Sequence, residues 1–166
     1  MPSYDPVSDH FAEECGVFGA FFPNASEERR AQLSRIVYYG LYSQQHRGQE
    51  SAGMVIDDGE EFHLHKQLGL VAEVFSDETL DSLHGHAAVG HVRYSTRGTN
   101  SFANAQPLVG ESRLGPLAIA HNGNLVNAPV IRDLLEDAGV MFQTSSDSEV
   151  ILNLLARGSR YGLSRA

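Results

Sequence analysis

Cys15 is the only cysteine among 166 residues, and its surroundings suit it to chemistry. It lies in Glu13-Glu14-Cys15-Gly16-Val17-Phe18-Gly19, between an acidic leader and an apolar run, Val17 to Phe22, that reads as a buried strand. A cysteine at such a place is often only a small apolar core residue. Two features favour a nucleophile. Gly16 and Gly19 flank the strand start, where backbone is expected to pass close to a neighbour. Scission after Glu14 would also make Cys15 the first residue. An α-amine has an ordinary pKa of about 7.7–8.0 and takes a thiol proton near neutral pH. Nucleophile and base would then share one residue.

Four further stretches carry residues of the right kinds. Gln45-His46-Arg47-Gly48-Gln49-Glu50 joins a helix to a strand with almost no large apolar side chain. It is either a solvated connection or, through Arg47 and Gly48, the lining of a cleft. In His91-Val92-Arg93-Tyr94, alternation sets Val92 and Tyr94 on one face and His91 and Arg93 on the other. Arg93, near a strand end and followed by Ser95 and Thr96, can grip a carboxylate with two parallel hydrogen bonds, or simply form a salt bridge to one of the many acids. Asn122-Gly123 follows the strand Pro116 to Ala120 and is an ordinary turn pair. The same geometry can aim the Asn122 amide and the Gly123 N–H at one point as an oxyanion hole. Asp147 lies in Thr144-Ser145-Ser146-Asp147-Ser148-Glu149, where Ser146 and Glu149 predict a capping box. An acid in a first helical turn is favoured by the helix dipole, and one held rigidly there can also bind an ammonium group. His84, His86 and His91 raise the question of a metal, but no cysteine or carboxylate shares their spacing, and no metal site is expected.

These residues need elements to hold them. Asn24 and Glu27 predict a helix start, and Leu33, Ile36, Val37 and Leu41 recur at helical spacing until about Ser43 to His46. A strand, Ala52 to Ile56, is followed by a hairpin turn at Asp58-Gly59 and by Phe62-His63-Leu64. Ser76 to Leu83 reads as a short surface helix, and Ala87 starts the strand that reaches Arg93. A helix from Asn127 to Ala138 has Pro129 in its first turn and Gly139 as its stop. A last helix carries Ile151, Leu154 and Leu155.

Composition sets bounds. With 42% hydrophobic and 20% charged residues, the chain is globular and of one-domain length. A net charge of −9 argues against nucleic acid. One cysteine cannot form an internal disulfide or hold an iron–sulfur cluster, and it suits a reducing compartment. The leader has no Lys or Arg and no apolar middle, so it is not a secretory signal, and no apolar run approaches membrane-spanning length. A cytoplasmic location with no membrane contact is expected.

Taken together, Glu14-Cys15-Gly16-Val17-Phe18-Gly19, His46-Arg47-Gly48-Gln49-Glu50-Ser51-Ala52-Gly53, His91-Val92-Arg93-Tyr94-Ser95-Thr96, His121-Asn122-Gly123-Asn124-Leu125 and Thr144-Ser145-Ser146-Asp147-Ser148-Glu149, in this order, closely resemble the glutaminase domain of class II glutamine amidotransferases, which are N-terminal-nucleophile hydrolases. Within that class the pattern resembles the amidophosphoribosyltransferase family. The two acids before Cys15, Gln49, Tyr94 and Asn124-Leu125 carry that distinction. The resemblance implies an α+β fold, the αββα sandwich of two antiparallel sheets between helix layers, incomplete in this chain. It implies a leader over 1–14, part of a glutaminase domain over 15–166, and a phosphoribosyltransferase domain that this chain lacks. Cys15 would attack the glutamine side-chain amide with its own amine as base. Asn122 and Gly123 would stabilise the oxyanion. Arg93, helped by Thr96, would hold the substrate carboxylate and Asp147 its ammonium, while Arg47 and Gly48 shape the pocket. The ammonia would convert phosphoribosyl pyrophosphate to 5-phosphoribosylamine in the first committed step of purine synthesis. Magnesium, in some members a 4Fe–4S cluster, and a homo-oligomeric assembly are implied for the whole enzyme. A glutaminase domain of another class II amidotransferase, a non-catalytic glutamine-binding module and an inactive fragment are the alternatives.

While the leader is attached, the Cys15 nitrogen is an amide whose lone pair is delocalised into the carbonyl, so it is no base. The full-length protein is therefore expected to begin at Cys15, with self-cleavage requiring that thiol. Intact-mass and N-terminal sequencing check this: wild type loses residues 1–14 and Cys15→Ala keeps them. Full glutaminase activity with the leader still attached would exclude it.

Overall fold

The structure is a computed structural model and describes residues 15–94, 102–113 and 115–158. A four-stranded antiparallel sheet has the order β1-β4-β2-β3, with β1 at Gly16–Phe21, β2 at Ser51–Asp57, β3 at Phe62–Leu68 and β4 at Ala87–Arg93. A two-stranded antiparallel sheet pairs β5 (Leu108–Ser112) with β6 (Gly115–Ile119). Helix α1 (Glu27–Ser43) covers one face of the first sheet with the short α2 (Val71–Val74) and α3 (Asp77–Ser82), and α4 (Ala128–Asp137) and α5 (Asp147–Ala156) accompany the second sheet. Two antiparallel sheets with helix layers make the α+β sandwich that the resemblance implies. No helix among the described residues is long and apolar enough to cross a membrane.

Alternation explains the first sheet. Ala52, Met54 and Ile56 of β2 and Val92 of β4 point into the core formed with Leu33, Val37 and Leu41 of α1. The intervening residues face the second sheet. The register sets Ser51 opposite Arg93 and Gly53 opposite His91, so these four share that inner face. It also sets Gly16 opposite Val92, which brings the start of β1 beside the end of β4. Ser34 of α1 donates to the Leu80 carbonyl at 2.8 Å, and Arg35 reaches Asp77 and Asp81, so α1 and α3 move as one layer.

Several local expectations change. The α1 N-cap is Ser26, while Asn24 takes a left-handed turn conformation at φ 58°. Two residues more of turn are needed to bring the chain from the edge strand onto the sheet face. Close approach holds at Gly16, where a Cβ would lie 2.6 Å from Gln44 Oε1, and not at Gly19, whose nearest neighbour would be at an ordinary 3.5 Å. Strand β5 and helix α2 carry no strong periodic signal in the sequence.

Helix α1 lies directly on β4 because Gly90 has no side chain. A Cβ there would meet Leu41 Cδ1 at 2.8 Å and Val37 Cγ1 at 2.9 Å. Gly90→Ala is expected to cost about 1–3 kcal/mol by overpacking. A lower urea midpoint at unchanged m-value would report it, and an unchanged midpoint would mean that α1 can lift.

Candidate active site

Cys15 sits one residue before β1 with φ 65°. This left-handed conformation is rare for a side-chain-bearing residue and costs about 1–3 kcal/mol, so neighbours must impose it. They do so from three directions. The 3-10 turn Gln45–Arg47 supplies Arg47, whose carbonyl accepts the Cys15 N–H at 2.9 Å and whose Nε donates to the Cys15 carbonyl at 2.8 Å. The end of β4 supplies Tyr94, whose carbonyl accepts from Sγ at 3.3 Å and whose N–H donates to Sγ at 3.4 Å. The loop after β6 supplies Asn122, whose Nδ2 donates to the Cys15 carbonyl at 3.2 Å.

Gly48 lets the 3-10 turn come this close. A Cβ at Gly48 would lie 2.6 Å from the Val92 carbonyl carbon and 2.7 Å from the Arg93 nitrogen. Thus Gly48 packs on the β4 backbone and Arg47 grips the Cys15 backbone.

Asn122 and Gly123 are adjacent on a loop fixed at both ends. Gly123 has φ 154°, a region that favours glycine. At one end the His121 N–H and carbonyl meet the Gln106 side chain at 2.7 and 3.3 Å. At the other, Asp147 Oδ2 accepts the Leu125 N–H at 2.7 Å. Asp147 is the first residue of α5, as anticipated. Its Oδ1 lies 3.8 Å from His121 Nδ1. The predicted capping box forms only in part. Ser146 Oγ accepts from the Ser148 N–H, whereas the buried Glu149 carboxylate turns back to the N–H groups of Gln143 and Thr144. Two well-directed donors outcompete one cap.

Arg93 is mostly covered, and its Nη1 stands 3.6 Å from Glu50 Oε2. Glu50 also donates its N–H to the Arg93 carbonyl at 3.0 Å. The guanidinium therefore faces the carboxylate of Glu50, which stands next to the strand residue paired with Arg93 and carries no local sequence signal of that role. Glu50 Oε2, Ser51 Oγ, both His91 ring nitrogens and Arg93 Nη1 are buried without a hydrogen bond, an unusual concentration of polar atoms. Burial pushes the His91 imidazole down to about 4, the His121 backbone opposes that shift and the nearby Arg93 charge adds to it, so it is neutral at physiological pH.

The site thus runs without a break from Arg93 through Tyr94, Cys15, Asn122 and His121 to Asp147. Of the residues singled out, Cys15, Arg47, Gly48, Arg93, Asn122, Gly123 and Asp147 come together, while Thr96 lies outside the described residues, as does the leader. The histidines diverge: His86 faces Asp57 at 3.8 Å and His91 points into the sandwich. Among the described residues no three His, Cys, Asp or Glu side chains are placed to hold a metal, so the donor set fits neither magnesium nor a 4Fe–4S cluster.

The family of glutamine amidotransferase domains matches residues 72–165. The chain belongs to this family. The match contains Arg93, Asn122, Gly123 and Asp147, and longer alignments extend it toward Cys15. The chain is 48% identical to the amidophosphoribosyltransferase of Bacillus subtilis over 152 residues, 91% of this chain and 30% of that protein. It is 48% identical to that of Methanocaldococcus jannaschii over 143 residues, 86% of this chain and 29% of that protein. A solved structure described as the allosteric regulatory enzyme of purine biosynthesis superposes with a TM-score of 0.76 at 48% identity, covering 85% of this chain and 29% of that one. The Bacillus subtilis glutamine phosphoribosylpyrophosphate amidotransferase complexed with ADP and GMP superposes at 0.70 with 46% identity, covering 87% and 29%. The chain therefore spans about three-tenths of the length of these relatives.

Arg93→Lys keeps the charge and loses the fork. Loss of one charge-assisted hydrogen bond costs about 1.5–3 kcal/mol, or roughly tenfold to a hundredfold in affinity. The KM for glutamine of the full-length protein is expected to rise by that factor at an unchanged melting temperature. A fall in melting temperature with KM unmoved would make the Arg93–Glu50 pair structural.

Proposed function

We propose that this chain is the glutamine-hydrolysing part of an amidophosphoribosyltransferase. The observation that carries the reading is the placement of Cys15, its thiol at the end of β4 and its carbonyl under the Asn122 amide. Once the leader over 1–14 is removed, the Cys15 α-amine takes the thiol proton and Sγ attacks the side-chain amide carbon of glutamine. The negative charge that develops on the carbonyl oxygen is met by Asn122 Nδ2 and the Gly123 N–H. The proton passes from the amine to the leaving nitrogen, the C–N bond breaks, and ammonia departs from a glutamyl thioester. Water then attacks the thioester, giving up its proton through the amine, and glutamate leaves with the thiol restored.

Specificity for glutamine follows from two charges of opposite sign. Arg93, with Thr96 beside it in sequence, binds the α-carboxylate, and Asp147 binds the α-ammonium. Arg47 and Gly48 hold the nucleophile and the cleft wall in place. In the whole enzyme the ammonia displaces pyrophosphate from magnesium-bound phosphoribosyl pyrophosphate on a phosphoribosyltransferase domain and gives 5-phosphoribosylamine, the entry to purine synthesis. That enzyme is cytoplasmic and homo-oligomeric in this reading. Magnesium and any 4Fe–4S cluster belong outside this chain.

The test is glutamate release from glutamine by the full-length protein, with pyrophosphate release from phosphoribosyl pyrophosphate followed in parallel. Cys15→Ala is expected to abolish both activities with glutamine, and added ammonia to restore pyrophosphate release. Glutamine hydrolysis by Cys15→Ala at the wild-type rate would remove Cys15 from the mechanism. Glutamine binding without any glutamate release by the processed wild type would make the domain a glutamine sensor.

A further inference from the structure

The loop that carries Asn122 and Gly123 leaves β6 at Ile119, where its pairing with Leu108 is the last rung of the second sheet. Beyond that rung no strand among the described residues pairs with His121. Gln106 takes the place of one. It is buried, its Oε1 accepts the His121 N–H at 2.7 Å, and its Nε2 donates to the His121 carbonyl at 3.3 Å. Both backbone groups of a single residue are thus paired by one side-chain amide, as a neighbouring strand would pair them. The His121 N–H fixes which end of the amide is the oxygen.

The segment that carries Gln106 is itself secured from two sides. Lys66 of β3 donates to the carbonyls of Ala105 at 2.6 Å and Pro107 at 3.2 Å. Burial lowers the pKa of this amine, and the two carbonyls replace the water it loses. On the other side Asn104 accepts the Ser145 N–H at 3.1 Å and donates to Ser145 Oγ at 2.9 Å. One four-residue stretch, 104–107, therefore spaces the His121 loop from the loop that leads into Asp147.

We propose that Gln106 is a positioning residue for the oxyanion hole: by holding both backbone groups of His121, it sets the direction in which the next residues, Asn122 and Gly123, present their donors. This inference rests on the reading of Asn122 and Gly123 as the oxyanion donors. Such donors act through a precisely held geometry, and a displacement of about 1 Å can cost roughly a hundredfold in rate. Gln106 bonds His121 and reaches Cys15 only through Asn122, one of three separate holds on Cys15, so its loss is expected to fall on the transition state more than on binding.

The experiment uses the full-length, processed protein and two variants. Gln106→Met keeps the volume and removes both hydrogen bonds. Gln106→Asn keeps the amide but is one methylene too short to span His121, and it carries the test if the first variant does not fold. Three quantities are measured: kcat and KM for glutamine, and the rate of Cys15 alkylation by iodoacetamide, a displacement at a saturated carbon that forms no oxyanion. The expected result is a kcat lower by about tenfold to a hundredfold, with KM and alkylation within about threefold of wild type. A kcat at the wild-type level in a folded variant overturns the proposal. So does an equal loss of alkylation and hydrolysis, which would mean that Gln106 only maintains the fold around Cys15. Absence of glutamine hydrolysis in wild type overturns the reading of the site and this inference with it, whereas normal wild-type hydrolysis with unaffected variants overturns this inference alone.

Discussion

Cys15 is held at φ 65° by hydrogen bonds to its N–H, its carbonyl and its thiol, from three separate parts of the chain. That constraint orders the rest. Cys15 cannot take its conformation until β1 lies beside β4, the 3-10 turn packs on the β4 backbone, and the loop after β6 brings Asn122 to the Cys15 carbonyl. Each of these contacts joins residues distant in sequence, and none forms in an isolated hairpin or helix. Strain of about 1–3 kcal/mol at one residue persists only where the surroundings over-determine it. The site therefore reports the integrity of both sheets at once.

The two faces of the first sheet have opposite tasks. The face toward α1 is filled by Val37, Leu41, Met54, Ile56 and Val92 and supplies the apolar burial that holds the layer together. The inner face becomes polar toward the end nearest Cys15, where Ser51, His91 and Arg93 stand with Glu50 beside them. Buried polar atoms without partners work against stability. They concentrate at the Arg93 end of the inner face. The neutral state of His91 fits the same arrangement, since a second cation beside Arg93 in a dry interior would be costly.

The second sheet contributes position. With only β5 and β6 among the described residues, its ladder is short, and the loops that leave it are tied by side chains instead of strands. Gln106 and Asp147 take the two ends of the loop over 121–125, and Asn104 and Glu149 take the approach to α5. Side-chain amides and carboxylates suit this work because each offers two polar atoms at a fixed separation.

The amino-acid sequence by itself determined the types of chemistry and most of the elements. A lone cysteine before a strand, an arginine at a strand end, an Asn-Gly pair and an acid at a helix start are read from local rules of periodicity, turns and caps, and the helices 27–43, 128–137 and 147–156 follow from spacing and stop residues. These rules involve neighbours a few residues apart, so the sequence displays them directly. Only the tertiary structure decided that Arg47 grips the Cys15 backbone, that Glu50 aims Arg93, and that Gln106 holds His121. It also chose Ser26 over Asn24 as a cap and turned Glu149 away from the predicted capping box. In every such case the deciding partner is reached across a turn or from another element, and a polar side chain bonds with whichever backbone group the packed layers place within about 3 Å. That choice belongs to register and layer spacing, which no local pattern records.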